Sequence, residues 1–416
     1  MYLLLLAVLG TGLLGGDFVK LTILHIPLIY IVMAGLLVSY MRFVFIKNGR
    51  LALSRGEKGL IVFVFYGLLM AVLSFIGVNR FLVNSGLFIS KSYIPRQAYY
   101  LFILPACILF KDTYYTTKFD EIIKKFGTWI FWACFVFVMW HNHALHVSAQ
   151  IVLCWLSLYM GKTNKRNNKT KLGKWHCILR SAVLFLSPLP ADGTSTAIII
   201  RMMFLLVLFF HKKRKRTMLK VLYLAVIGLL CFSFFLPLLF PNGVGFGGDN
   251  NIIWRIRYWE DELISTARSG FLGVGYGTTY ATNDFINFSL DWSEGGGPFG
   301  ADEWTTSTDK AFVTGSHNSF ISLTFRLGLI GIVSFLVFLF EMYKRINLYV
   351  KFVSPATYFM FFASIFLIGF NVGLESPYYL LIFVFAMGKC VQETRGYSHS
   401  IDISNGIKCK SLVTQQ

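Results

Sequence analysis

Residues 211–240 read HKKRKRTMLKVLYLAVIGLLCFSFFLPLLF, a cluster of cations followed by a long apolar run. Six lysines and arginines lie between positions 212 and 220, whereas no charged residue follows from Val221 to Phe240. About 20 mostly apolar residues are enough for a helix to cross the hydrocarbon core of a bilayer. The stretch therefore predicts a transmembrane helix that leaves a strongly basic loop on one side.

Apolar runs of this kind recur through nearly the whole chain. Of its 416 residues, 56% are hydrophobic and only 14% are charged, whereas about 25% charged residues are typical of soluble domains. We interpret residues 1–416 as a single polytopic domain of the all-α integral membrane class, with about twelve transmembrane helices. The predicted spans are 1–16, 21–41, 59–78, 96–110, 127–143, 147–161, 176–190, 194–211, 219–240, 318–342, 354–372 and 376–390.

The lysines and arginines between these spans predict the orientation of the chain. One set of alternate loops carries 28 of them and the other set carries 8. Cytoplasmic loops of membrane proteins hold an excess of lysine and arginine, so both termini are predicted to be cytoplasmic. The formal charge of +19 is then explained by membrane orientation and contact with membrane lipids, and no nucleic-acid partner is predicted.

This topology places one large loop, residues 241–317, on the outer side of the membrane, before the tenth span. It carries ten of the chain's 20 acidic residues and four basic ones. Within it, the stretch from Ile252 to Ala267 predicts an amphipathic helix lying at the membrane surface. Its apolar residues recur at helical spacing, at Ile252, Ile256, Trp259 and Leu263.

Two arginines of this predicted helix, Arg255 and Arg257, point to nearly opposite sides because they are two positions apart. Asp261 follows Arg257 by four residues, which also fits a surface ion pair. The pattern alone leaves a functional role and this pairing open.

A glycine-rich run follows at Gly273-Val274-Gly275-Tyr276-Gly277. It lacks the Lys-Ser/Thr ending and the flanking strand of a phosphate loop, so it predicts a turn that brings backbone close to a neighbour or a ligand. The loop then returns to the membrane through His317, at the outer mouth of the next span. A histidine in such a place is also consistent with a structural or interfacial role.

The order of these motifs resembles the outer-loop region of the O-antigen polymerase (Wzy) and O-antigen ligase (WaaL) superfamily of bacterial membrane glycosyltransferases. The resemblance covers residues 252–331, and the fifteen residues between Arg257 and Gly273 resemble an arginine–glycine spacing of that family. In one departure, the stretch 192–197 has no arginine, and Arg201 follows inside the span. The motifs are Arg255-Ile256-Arg257-Tyr258-Trp259, Gly273–Gly277, His317-Asn318-Ser319-Phe320 and Arg326-Leu327-Gly328-Leu329-Ile330-Gly331.

The resemblance implies an enzyme of the bacterial inner membrane that acts in lipopolysaccharide biosynthesis or on a related surface polysaccharide. It implies polymerisation of oligosaccharide repeat units held on undecaprenyl diphosphate, with a chain-length regulator as a further partner. The alternative within the family is O-antigen ligase, which transfers the glycan to lipid A-core. The implied glycosyltransferase is metal-independent and needs no cofactor.

For this chemistry the catalytic candidates are Arg255 and Arg257, which would stabilise the leaving diphosphate, and His317, which would act as a base or orient the acceptor. Aromatic side chains here also fit interfacial anchoring, and arginines within spans also fit pairing with carbonyl groups or snorkelling. The substrate-binding candidates are Trp259, Tyr258, Asn318, Arg201, Arg326, Gly273, Gly275 and Gly277.

Two other functions are considered. His141, His143 and His146 form the one histidine cluster in the sequence, but a zinc site there lacks a clear fourth ligand. A lipid-linked glycan transporter would also have many spans. The sequence shows no duplicated halves or paired broken spans, which transporters often have, and the asymmetric outer loop disfavours this function.

Overall fold

The computed structural model describes 55–83, 86–109, 113–163, 171–190, 194–211, 214–241, 250–294, 311–312, 315–371, 374, 376 and 379–394, with isolated positions between 10 and 38. Helices make up most of this part of the chain, which confirms the predicted all-α class. The predicted first span, 1–16, lies almost wholly outside the described residues.

Two short strands, β1 (Thr22–Ile23) and β2 (Ile26–Pro27), pair antiparallel. Residues 91–93 form one 3₁₀ turn, and residues 379–394 are also helical. The α-helices are α1 (Arg55–Ile76), α2 (Asn79–Leu82), α3 (Ile94–Ala98), α4 (Tyr100–Ile103), α5 (Ala106–Leu109), α6 (Thr113–Asn142), α7 (Val147–Thr163), α8 (Lys171–Leu186), α9 (Thr194–Phe210), α10 (Lys215–Leu239), α11 (Asn250–Arg268), α12 (Asn283–Glu294), α13 (Ser319–Leu348) and α14 (Pro355–Phe370).

Three of these helices, α1, α10 and α13, are long and apolar enough to cross a membrane, by length and composition, among the residues described. Shorter apolar helices lie within α7, α9 and α14. Large apolar side chains on the long helices are exposed, for example Phe65, Leu238 and Phe340. Exposed apolar surface on this scale needs a nonaqueous neighbour, so the chain is a membrane protein.

The helices follow most of the predicted spans but differ from three of them. The span 96–110 consists of three short helices, and Pro105, which has no amide to donate to a helix, lies in the gap between the second and the third. The helix at 127–143 begins earlier, at Thr113. The predicted span 21–41 is not helical at its start, since residues 22–23 pair with residues 26–27.

Helix α13 packs along α1 through glycines that allow close approach. A Cβ at Gly56 would lie 2.9 Å from the Cβ of Glu341, and one at Gly59 would lie 3.2 Å from the carbonyl oxygen of Ser334. Small residues at such positions let helix backbones meet in membranes. The two helices therefore form one unit, which supports the loop segments above it.

Helix α13 is broken at Gly328, which has a φ of 57° and a ψ of −158°. The amide of Leu329 does not continue the helix but donates to the carbonyl of Phe271 at 2.9 Å. A break of this kind inside an apolar helix is tolerated only where other groups bond the freed backbone atoms.

The glycine-rich run supplies those groups. Val274 N donates to Phe325 O at 2.9 Å, and Gly275 N donates to Arg326 O at 3.1 Å. Gly273 has a φ of 91°, and a Cβ there would lie only 2.5 Å from Arg326 O. The predicted close approach of this turn is confirmed, and its partner is the neighbouring helix α13.

Candidate active site

Helix α11 confirms the amphipathic helix predicted at 252–267, since it runs from Asn250 to Arg268. Its apolar face, with Ile256 and Trp259, packs on Leu236 near the end of α10 and on Ile321 in the first turn of α13. The helix therefore lies across the adjoining ends of two long apolar helices. This packing places the polar side chains of α11 at a helix end, where a site can form.

The other side of α11 packs against α12 and the segment before it. The ring of Tyr258 is fully buried and stacks on Phe285, with 4.5 Å between centroids. Asp261 accepts hydrogen bonds from the amide of Thr282 at 2.9 Å and from its hydroxyl at 2.6 Å. Burial raises the pKa of Asp261, while these two hydrogen bonds lower it.

The two arginines of α11 have different neighbours. The guanidinium of Arg257 lies 3.7 Å from the centroid of the Phe288 ring in α12, a cation–π contact. Burial lowers the pKa of Arg257, while Glu260 raises it. The charge of Arg255, by contrast, acts on His317 and lowers its pKa. The predicted placement of the two side chains on different sides of the helix agrees with these contacts.

His317 occupies a strained position just before α13. Its φ is 59°, in the left-handed region that residues other than glycine seldom adopt. Its ring meets the Trp254 ring edge to face at 5.9 Å. Burial, and to a lesser extent the charge of Arg255, lowers its pKa to about 4. The imidazole is therefore neutral near pH 7 and has a lone pair that can accept a proton.

The same pKa shift has a consequence for stability. The pKa of histidine in an unfolded chain is about 6.5, so the unfolded state binds this proton more readily than the folded state does. The stability contribution of neutral His317 is present above about pH 6.5 and is lost as the pH falls towards 4.

The residues on both sides of His317 are anchored. Trp259 Nε1 donates to Ser316 O at 2.7 Å. Asn318 caps α13, because its Oδ1 accepts from the amide of Phe320 at 3.0 Å, and its Nδ2 donates to Ser233 Oγ of α10 at 2.7 Å. Contacts on both sides are what allow a strained residue to persist at a site.

The two aromatic rings named as substrate-binding candidates, Tyr258 and Trp259, are not accessible in this conformation. Tyr258 is fully buried, and Trp259 is 3% exposed with its indole nitrogen on Ser316. The structure therefore gives both side chains a packing role. They hold α11 against α12 and α13. The positions of Arg255 and Arg257 on the same helix are fixed as a result.

Arg326 lies just before the break in α13 and is 2% exposed. Its Nη1 donates to Gly275 O at 3.2 Å and to Thr278 Oγ1, and its Nη2 donates to Thr278 O at 3.0 Å. Its guanidinium also lies 4.0 Å from the Tyr280 ring centroid. This geometry favours the carbonyl-pairing alternative over contact with substrate.

We expect Arg326→Met to lower the stability of the protein. The substitution removes the Arg326 donor from the Gly275 carbonyl and leaves the Thr278 carbonyl with Gln97 alone, and a buried polar group that loses its partner costs about 1–3 kcal/mol. Arg326→Lys should restore little, since one ammonium does not reproduce the planar fork. Thermal unfolding of the detergent-purified variants measures the loss. Unchanged unfolding temperatures would refute the structural role.

Arg201 also pairs with carbonyl groups. It donates to Phe185 O at 2.8 Å, Ser187 O at 2.7 Å and Pro188 O at 3.2 Å, and to Gln150 Oε1 at 3.3 Å. These contacts tie α9 to the end of α8 and to α7. The structure therefore does not bring Arg201 into contact with α11 or His317 through any of these bonds.

Sequence reasoning missed two buried residues near the site. Glu262 is 0% exposed and accepts a hydrogen bond from Ser316 Oγ at 2.5 Å. Gln97 accepts from Gly277 N at 2.7 Å and donates to Thr278 O at 2.9 Å. The sequence contains a signal for Glu262, because its spacing from Arg255 and Trp259 places the three on one helix face. It contains none for Gln97.

Together, these features define a polytopic α-helical membrane protein whose sequence motifs meet where α11 crosses the ends of α10 and α13. Residues 181–336 match the family model described as O-antigen ligase. This match supports the resemblance to the superfamily of O-antigen polymerases and ligases that the motifs predicted.

The matched region begins in α8 and ends within α13, so it includes every arginine and histidine proposed for the site. The description of the family as a ligase supports an enzymatic role for this region. No curated protein matches the chain. Among the residues described, no three histidines, cysteines or carboxylates come together as a metal site.

Proposed function

We propose that the protein polymerises oligosaccharide repeat units held on undecaprenyl diphosphate, at the outer face of the bacterial inner membrane. In this proposal about twelve helices span the membrane, both termini are cytoplasmic and the loop 241–317 carries the active site. The observation that carries it is the strained backbone of His317, which lies between Ser316, bonded to Trp259 of α11, and Asn318, the cap of α13. A base and a cation are the two groups that transfer from a diphosphate donor needs.

In the proposed reaction, a hydroxyl oxygen of the acceptor attacks the anomeric carbon of the donor. The bond between that carbon and the diphosphate oxygen breaks, and the undecaprenyl diphosphate leaves with the bonding electrons. Arg255 and Arg257 stabilise the charge that develops on it, because fixed cations in a partly dry site lower such barriers. No metal or cofactor is needed for this step.

His317 accepts the proton of the attacking hydroxyl or orients that hydroxyl by a hydrogen bond. Its lowered pKa keeps the ring neutral near pH 7, so the lone pair is available, but it also makes the imidazole a weaker base than free histidine. Asn318, Trp259, Tyr258, Arg326 and the glycines at 273, 275 and 277 support the site by holding His317, α11 and the break in α13. Arg201 supports the bundle below them.

O-antigen ligase is the second candidate, because the matching family model carries that description. A ligase would use the same donor and the same charged groups, with lipid A-core as the acceptor. The two functions differ in the product that a deletion strain lacks.

Deletion of the gene in its native host should separate these functions on a silver-stained gel of surface glycans. A polymerase deletion should leave lipid A-core carrying one repeat. A ligase deletion should leave uncapped core, with long chains held on the carrier lipid. Unchanged surface glycan, or transport of intact glycan across sealed vesicles without any change in its length, would argue against both.

Arg257→Ala and Arg255→Ala should each slow glycan transfer by about 100-fold or more, the usual cost of removing a group that stabilises developing charge. Lysine should restore part of the rate, since it keeps the charge but not the paired donors. The matched control is Arg268→Gln at the exposed end of α11. Wild-type rates for both alanine variants, at equal protein levels in the membrane, would exclude these arginines.

A further inference from the structure

Glu262 is a carboxylic acid that is wholly buried inside a membrane protein. Its Oε2 accepts a hydrogen bond from Ser316 Oγ at 2.5 Å, and its Oε1 accepts one from Ser322 Oγ at 3.5 Å. Burying such a group is costly unless hydrogen bonds satisfy it. Both hydroxyl groups belong to the segment that carries His317 and begins α13. These two hydrogen bonds therefore join the carboxyl group of Glu262 to that segment.

Glu262 shares a helix face with a proposed catalytic group. Arg255, Trp259 and Glu262 are spaced by four and then three residues, which places them in one row along α11. Trp259 and Glu262 both bond to Ser316, one through its carbonyl and the other through its hydroxyl. The residue before His317 is therefore fastened to the same helix face that carries Arg255.

This fastening acts on a strained backbone. A left-handed residue other than glycine is strained and persists only where its surroundings hold it. Asn318 is held to α10 and to the first turn of α13 on one side of His317. On the other side, Ser316 is held to α11 by Trp259 and Glu262, and its hydroxyl also lies 3.4 Å from Ser322 Oγ of α13.

We propose that Glu262, acting through Ser316, is a positioning residue that sets the place of His317 relative to Arg255. The proposal rests on the proposed function, in which these two residues act on the same substrate. It assigns Glu262 no contact with substrate. Loss of the hydrogen bond would let residues 316–317 relax towards an unstrained backbone and carry the imidazole away from the acceptor hydroxyl.

The test measures how fast membranes containing each variant consume lipid-linked glycan extracted from the deletion strain. Glu262→Met keeps the size of the side chain but removes the acceptor, and we expect it to lower the rate at least about tenfold, as small misplacements of catalytic groups do. Glu262→Gln keeps an acceptor oxygen and should stay within about threefold of wild type by the same geometric argument. Glu121→Met, on the exposed surface of α6, is the control.

Ser316→Ala breaks the same hydrogen bond from its donor side and changes the size of the side chain by only one hydroxyl group. It should lower the rate as much as Glu262→Met, and the double variant should be no slower than the slower single variant, because both changes break one interaction. A purely structural carboxylate would instead give parallel losses of rate and thermal stability that Gln does not repair. That result, or wild-type rates for Glu262→Met, would overturn the proposal.

His317→Ala, measured alongside, separates the two levels of inference. If His317→Ala is inactive while Glu262→Met matches wild type, the positioning role fails and the proposed function stands. If His317→Ala is fully active, the proposed function of this site fails first, whatever the Glu262 variants show.

Discussion

Replacement of His317 by alanine should lower the rate of glycan transfer by at least about 100-fold, the usual contribution of a positioned base. The wild-type rate should stay level from about pH 6 to pH 8 and fall only as the pH approaches 4, because burial lowers the pKa of His317 to about 4. A histidine with an ordinary pKa would instead lose activity through about pH 6.5. Initial rates across this pH range, in membranes, are the measurement.

The control for this substitution is His176→Ala, since His176 is exposed on α8. His317→Asn distinguishes the two roles proposed for the ring. An orienting role should retain much of the rate with asparagine, which still forms hydrogen bonds, whereas a base should not. A His317→Ala variant with the wild-type rate at equal abundance would remove His317 from the mechanism.

Replacement of Gly328 by alanine should cause a large loss of stability. The backbone of Gly328, with a φ of 57° and a ψ of −158°, lies in a region essentially restricted to glycine, which costs a residue with a side chain about 1–3 kcal/mol. A Cβ would also overlap the Phe271 carbonyl, and overpacking of this kind costs roughly 1–3 kcal/mol more. Thermal unfolding in detergent and the amount of folded protein in the membrane measure the effect.

Gly228→Ala is the matched control, because a Cβ at this position in α10 would meet nothing within 4 Å. Alanine in place of glycine inside a helix is favourable by about 0.5–1 kcal/mol, so this variant should be as stable as wild type or more so. Equal behaviour of the two alanine variants would mean that the break in α13 is not required.

Much of the fold could be predicted because its signals are local. Hydropathy located α1, α10 and α13, and a periodicity of apolar residues located α11. The three alternate glycines at 273, 275 and 277 predict a close backbone approach. All three have a positive φ, which glycine adopts without steric cost. The order of motifs predicted the family from the same short stretches.

The features that could not be predicted depend on contacts between residues that are distant in sequence. The run from Ser319 to Leu348 looks like one helix, and its break at Gly328 exists because residues 271–275 bond to it. Arg326 looked like a functional charge within a span, but it faces carbonyl groups about fifty positions away. Glu262 is one of ten acids in the loop, and its hydrogen bond with Ser316, 54 positions away, cannot be read from the sequence.

The break in α13 also makes backbone amides into reporters of tertiary structure. In an unbroken helix the amide of Leu329 would be protected by its own segment, whereas here its acceptor is the carbonyl of Phe271. The amides of Val274 and Gly275 depend in turn on α13. These three protons should therefore exchange with deuterium together, at the rate at which the outer turn separates from the membrane helix, and not at the rates of their own secondary structure.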